Sequence, residues 1–273
     1  MASYSGILTA LNIDARPEIM LAQAMEMGPI IRLQRVDSTN EYLKQHRELW
    51  GEKYCTVCAD EQTGGRGRLG RRWHSEAGRD LTFSTLFHPM RLDDSTACVS
   101  LYAGLAVHRA LRVHITEGLW IKWPNDICYE EKKLGGILCE SLIGEGPLVI
   151  IGIGINVNGT GFPDEIKNRA ASMKMITGRE YGSEMIMAGI LSELEALLEA
   201  FAFPVPEPIL REWKSHSRSF DQTVLYEGGN SRRRGRIVEL RGDGLLVIRD
   251  EETQSDLVYA GEIFFTDEKN TDL

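Results

Sequence analysis

The densest reactive chemistry in this sequence lies between Glu61 and Trp73, where Gly64, Gly65, Gly67 and Gly70 interleave with Arg66, Arg68, Arg71 and Arg72. Guanidinium groups offer paired donors to phosphate or carboxylate, and glycine lets a backbone come close to such an anion. A loop this rich in both reads as functional rather than merely solvated. Two familiar phosphate loops nearly fit. Gly65-Arg66-Gly67-Arg68-Leu69-Gly70 has dinucleotide spacing, but Arg71-Arg72-Trp73-His74 leads to a strand, not to the helix that motif must open. The same stretch has Walker A glycine spacing, yet Arg71 and Arg72 replace the lysine and the hydroxyl that would hold magnesium.

Three later segments join it. Lys122-Trp123-Pro124-Asn125-Asp126 ends a strand in a turn. Lys132-Lys133-Leu134-Gly135-Gly136 sets lysine before two glycines in an apolar strand, the pattern of a bulge or a close ligand approach. Gly152-Ile153-Gly154-Ile155-Asn156-Val157-Asn158 ends an apolar strand in an amide able to read a base edge. Other eye-catching residues carry less. Cys55 and Cys58 form a lone C-x-x-C whose members face opposite sides of a strand, so zinc is not expected. Cys139 reads as a buried strand thiol, and His74, His88, His108 and His114 have no metal spacing. Ser231–Arg236 reads as a solvated hairpin.

The elements that position these residues follow from periodicity and punctuation. The pattern predicts a helix over Pro17–Met27 stopped by Gly28, and a second beginning at 37–41, where Ser38 and Glu41 have capping-box spacing. Strands are expected over Tyr54–Ala59, Leu81–Phe87, Leu119–Trp123, Ile127–Tyr129, Leu134–Glu140 and Leu148–Asn156. Long helices are expected from Ser95 to about Thr116 and from Ser183 to about Phe201, with a short one near Ile209–Lys214. Four or five strands after Thr223, including one over Asp256–Phe265, suggest a small barrel or sandwich. The expected organisation is an N-terminal extension (1–30), a main α+β domain (31–220) and a small all-β domain (221–273).

The 273 residues include 40 acidic and 31 basic side chains, a formal charge of -9. That balance disfavours broad nucleic-acid binding, which needs a surplus of cations. The longest apolar run, 148–155, is too short to cross a bilayer, and residues 1–30 lack a secretory pattern. Five cysteines do not read as a disulfide framework. A cytoplasmic protein with neither a nucleic-acid nor a membrane partner is expected.

In order, Asp37-Ser38-Thr39-Asn40, Gln62 to Arg68, Lys122 to Asp126, Lys133 to Leu138 and Gly152 to Asn156 resemble the motifs of the biotin protein ligases. The resemblance covers about residues 31–158. About thirty-five residues precede Asp37, too few for the winged helix-turn-helix of the bifunctional members, so it implies the monofunctional class. Leu69 departs from the bifunctional pattern, which often has a basic residue there. The resemblance implies a mixed-sheet α+β catalytic domain of the biotin/lipoate ligase type with a small C-terminal SH3-like β-barrel. It implies that ATP activates biotin as biotinyl-5′-adenylate, which then acylates a lysine of a biotin carboxyl carrier protein, in acetyl-CoA carboxylase or another biotin-dependent carboxylase.

By the same resemblance, Arg68, Lys133 and Asp126 are catalytic. Ser38, Thr39, Gln62, Arg66, Gly135 and Gly136 bind biotin. Arg68, Arg71, Trp73, Asn125, Lys133 and Asn156 bind ATP, with Asp126 in the Mg2+ region. Fixed cations suit a step that brings two anions together. The loop over 64–72 is expected to order over the ligand. A sheet edge could serve carrier docking or a homodimer. The competing readings are a lipoate–protein ligase, disfavoured by the Gly-Arg-Gly-Arg-Leu-Gly loop, and a biotin-sensing transcription regulator, disfavoured by the acidic charge and the short N-terminal segment.

Overall fold

Strand periodicity sorts the side chains of the central sheet onto two faces, and each face has its own cover. The computed structural model describes residues 19–20, 28–90, 96–142, 147–220, 222–228 and 231–265. Its first part runs β1 (Ile19–Met20), β2 (Ile30–Val36), α1 (Thr39–Gln45), β3 (Thr56–Gln62), β4 (Leu81–Phe87), α2 (Ala97–Arg112), β5 (Leu119–Lys122), β6 (Asp126–Tyr129), β7 (Lys132–Leu142) and β8 (Leu148–Ile155). Three helices follow: α3 (Met173–Thr177), α4 (Ser183–Glu199) and α5 (Glu207–Ser215). The eight strands form one mixed sheet in the order β1-β2-β3-β4-β8-β7-β6-β5, parallel only between β2 and β3.

On one face Phe83, Ile137, Ile151, Ile153 and Ile155 pack under Leu101 and Leu105 of α2 and Ile190 and Leu194 of α4. The other face carries α1, with Ile31, Val57, Leu86 and Ile150 against Tyr42 and Leu43. Cys55 falls in this second cluster while Cys58 packs against the first, so the C-x-x-C pair is split between the faces as its spacing predicts. Burial pushes their thiols up to about 12 and about 11. Among the described residues, no helix is long and apolar enough to cross a membrane.

The last part comprises β9 (Thr223–Gly228), β10 (Ser231–Leu240), β11 (Leu246–Asp250), β12 (Asp256–Tyr259) and β13 (Ile263–Phe265). They form a five-stranded antiparallel sheet in the order β12-β11-β10-β9-β13. The single strand expected over Asp256–Phe265 is thus two strands on opposite edges, broken at Ala260-Gly261-Glu262. The basic stretch at 231–236 pairs with β9 as a hairpin, and Arg233, Arg234 and Arg236 meet Asp250 or Glu251 across β10 and β11.

Three further expectations need correction. The Pro17–Met27 helix fails at Ile19–Met20, whose backbone pairs with Ile30 and Ile31 at the sheet edge; the rest of it lies outside the described residues. Strand β2 was not foreseen, because Arg32, Gln34 and Arg35 interrupt its apolar pattern. The capping box does not form: Ser38 stands at the N-cap without a side-chain cap bond, and Glu41 pairs with Lys44 and Arg66 instead.

Candidate active site

Three glycines leave a groove in the α1 face of the sheet, which the side chains of Asn40, Trp73 and Lys133 occupy. Gly152 and Gly154 on β8 and Gly136 on β7 share that face, opposite Ser84, Thr82 and Asp126 on the neighbouring strands. A Cβ at Gly152 would overlap the Asn40 amide, one at Gly154 the Trp73 indole, and one at Gly136 would press on Lys133 and Trp73. Gly135 points the other way, toward Ile155 and Ile127, because adjacent strand residues alternate. Its missing side chain serves packing, so of the two glycines assigned to biotin only Gly136 turns its Cα toward this groove.

At one end of the groove lies a buried polar chain. The Thr39 N–H donates to Gln62 Oε1 at 2.8 Å, and the Thr39 hydroxyl lies 2.6 Å from Ser84 Oγ. Ser84 donates to Asn40 Oδ1 at 2.5 Å, and Asn40 Nδ2 donates to Glu140 Oε2 at 2.7 Å. Lys44 Nζ then bridges Glu140 and Glu41, each at 2.7 Å, and Arg66 reaches Glu41 at 3.0 Å. The hydrogen bond from Lys44, aided by the Arg66 charge, holds Glu41 below the usual carboxylate range. Thr39, Asn40 and Ser84 are buried, so each bond within the chain matters more than it would in water.

At the other end, Lys133 Nζ sits 2.7 Å from Asp126 Oδ1 and 5.8 Å from the Trp73 ring centroid. A register shift between β6 and β7 falls beside this pair, with Ile127 opposite Gly135 and Cys128 opposite Lys133. That is the bulge the lysine-before-glycine pattern suggests. Asn125 locks the turn by donating to the Ile137 carbonyl at 2.6 Å and accepting the Ile137 N–H at 2.9 Å. Asn156, at the end of β8, donates from Nδ2 to the Ala171 carbonyl at 3.1 Å. Its buried Oδ1 and the Trp73 Nε1 have no protein partner among the described residues.

The Gly-Arg loop folds back over this groove as a narrow hairpin. Trp73 N donates to the Gly65 carbonyl at 2.9 Å and Gly67 N to that of Arg71 at 2.8 Å. Leu69 and Gly70 turn its tip with φ of 55° and 74°, so the leucine stands in the left-handed region that favours glycine. Arg68 Nη2 reaches the carbonyls of Ala260 and Gly261, at 3.4 and 3.3 Å, and Arg71 makes a forked contact with Glu262 at 3.1 and 2.5 Å. Burial draws the Arg68 pKa down, against the charges of Glu262 and Asp126. Its Nη1 is buried without a partner among the described residues. The break between β12 and β13 is therefore the dock of the loop.

The sequence profile of the biotin/lipoate A/B protein ligase family matches residues 32–158. A biotin--[acetyl-CoA-carboxylase] ligase of Paracoccus denitrificans is 31% identical, covering 85% of this chain and 99% of that protein. The chain belongs to the biotin/lipoate A/B protein ligase family. The biotin protein ligase of Aquifex aeolicus, solved with biotin and ATP, is 33% identical with a TM-score of 0.73, covering 86% of this chain and 97% of that one. The bifunctional ligase/repressor BirA of Bacillus subtilis is 32% identical over 72% of this chain, which spans only 62% of that relative's length.

In this family member, both ends of the groove draw on residues singled out in the sequence. Thr39 and Gln62 meet in one cluster, and Lys133, Asp126, Trp73 and Gly136 in another, while Arg66, Arg68 and Arg71 belong to the hairpin. Ser84, Glu140 and Glu262 carried no signal, since each acts through residues that the fold brings from far along the chain. Asn40 was visible in the Asp-Ser-Thr-Asn run, and its spacing from Thr39 placed it on the same helix. Cys139 is held well above the usual thiol range by burial, which suits a strand residue and not a nucleophile.

Proposed function

We propose that this chain activates biotin with ATP to biotinyl-5′-adenylate and transfers the biotinyl group to a lysine of a biotin carboxyl carrier protein. The observation that carries this reading is the glycine-cleared groove, running from a buried amide–hydroxyl cluster to a lysine–aspartate pair beneath an arginine-rich hairpin. Gln62, with Thr39 and Ser38, suits an uncharged ureido head that needs paired donors and acceptors in a closed pocket. Lys133, oriented by Asp126, suits the α-phosphate. A carboxylate oxygen of biotin forms the new P–O bond there as the bond to the β-phosphate breaks and pyrophosphate leaves. Arg68 has an unfilled donor for the same anions, and Arg66 and Arg71 belong to the same hairpin.

Asn156 Oδ1 suits the amino group of adenine, and Trp73 suits the face of the nucleotide. In the second step the carrier's lysine nitrogen attacks the acyl carbon and AMP leaves, with Asp126 placed to accept the proton released. Asp126 is already paired with Lys133, and no group of three metal-ligating side chains occurs among the described residues. That donor set fits Mg2+ delivered on triphosphate oxygens, with Asp126 and Asn125 beside it, and not a resident metal.

The C-terminal sheet supports a barrel in the same reading. Only three residues separate β12 from β13, which lie on opposite edges. Flat edges would stand about 19 Å apart, beyond the roughly 14 Å that such a link spans. The Tyr259 hydroxyl also accepts the Glu227 N–H from β9, which a curled sheet permits.

ATP–pyrophosphate exchange tests the reading directly. Exchange is expected with biotin and not with lipoate, and to slow by roughly ten- to a hundredfold in Lys133→Ala. Exchange with lipoate alone would replace this function with lipoate ligation.

A further inference from the structure

Asp80, buried at 7% exposure, holds the chain segment that follows Asn156. Its Oδ1 accepts the N–H groups of Val157 and Gly159 at 2.9 and 3.0 Å, and its Oδ2 accepts that of Glu76 at 2.8 Å. Arg79 grips the same segment: its carbonyl accepts Asn158 N–H at 2.9 Å, and its Nη2 donates to the Asn158 carbonyl at 2.7 Å. Asn158 in turn exchanges two bonds with the backbone of Tyr181, at 2.7 and 3.0 Å. Gly159 is required by closeness, since a Cβ there would stand 2.7 Å from Asp80 Oδ2.

Asn156 is the beneficiary. It is 4% exposed, its backbone is bonded to Leu134 and Met173, and its Nδ2 is committed to Ala171. A carbonyl accepts only from the NH2 end of the amide, so this bond fixes which atom is left over. Oδ1 is then a buried acceptor without a donor among the described residues, an arrangement that a ligand N–H would satisfy.

We propose that Asp80 is a positioning residue that fixes Asn156 Oδ1 as the acceptor for the exocyclic amine of adenine, and so sets the preference for adenine over a 6-oxopurine. This rests on the assignment of Asn156 to the base. A 6-oxopurine sets its own carbonyl against Oδ1, leaving two acceptors opposed, and an acceptor held rigidly cannot retreat from that clash. The Asp80 carboxylate touches no substrate; it acts through the 156–159 backbone.

The test is biotin-dependent pyrophosphate exchange with ATP and with inosine triphosphate, alongside thermal unfolding. Asp80→Ala is expected to raise the KM for ATP about tenfold, the equivalent of one charge-assisted hydrogen bond. It is also expected to narrow the ATP-to-inosine preference and to leave the KM for biotin unchanged. Asp80→Asn keeps one carbonyl acceptor and is expected to recover most of the difference. Gly159→Ala, which presses on the same carboxylate without removing it, is expected to behave like Asp80→Ala and carries the test where that variant does not fold. A lowered unfolding midpoint with unchanged ATP KM and unchanged preference would overturn the proposal. Asn156→Ala separates the two ideas. If it leaves the preference intact, the base assignment fails and the proposal with it. If it erases the preference while Asp80→Ala and Gly159→Ala preserve it, only the positioning role of Asp80 fails.

Discussion

A single cation at the seam of β6 and β7 separates stability from the chemistry proposed for it. The Lys133 side chain is 40% exposed and its ion pair with Asp126 is partly solvated, so that pair contributes little to folding. In the proposed reaction a charge-assisted bond from Lys133 to the developing phosphorane contributes about 1.5–3 kcal/mol. Lys133→Ala is therefore expected to slow adenylate formation by roughly ten- to a hundredfold in single-turnover kinetics while leaving the unfolding midpoint within a degree or two. Gly154→Ala reverses the pattern of cause. Its Cβ would overlap the Trp73 indole, at a cost of about 1–3 kcal/mol unless the ring leaves the groove. Tryptophan emission is expected to shift, and ATP binding measured by calorimetry to weaken. An unaltered ATP affinity would remove Trp73 from the nucleotide site.

At the scale of elements, the hairpin over 64–72 and the β12–β13 corner act as one unit. Glu262→Ala removes the forked contact with Arg71 and leaves the glycine-rich turn with fewer restraints. Amide exchange across residues 64–72 is expected to speed up in the free protein and to slow again with a non-hydrolysable adenylate analogue. Equal protection with and without the analogue would discard the ordering of this loop on its ligand. The junction of α2 with the end of α5 carries a different sensitivity. His108 stacks on His216 with centroids 4.2 Å apart, and burial, aided by the His216 charge, pushes His108 down to about 4. The unfolded chain takes up its proton near 6.5, so this contribution is complete above that pH and is lost as pH falls toward 4. The loss reaches up to roughly 3 kcal/mol, and His108→Phe is expected to flatten urea midpoints between pH 7 and pH 4.

Across the whole molecule, what could be read in advance follows from how local each signal is. Leu81–Phe87 is rich in Leu, Phe and Thr and bounded by turn residues, so its strand is found where the pattern put it. The Gly-Arg loop and the Lys133 bulge announce themselves by composition within a dozen residues. Ser84, Glu140 and Glu262 do not, because each is an ordinary residue until strands or loops about 45 to 190 positions apart are brought together. The core is also continuous from one sheet to the other: Trp120 and Trp123 of the main sheet region meet Phe265 and Tyr259 of the C-terminal strands. Such continuity sets a timetable for synthesis. Arg68 and the Gly261 carbonyl that receives it are 193 positions apart, and ribosomes add about 5–20 residues per second. For roughly 10 to 40 seconds, every nascent copy carries the arginine hairpin with no dock to receive it.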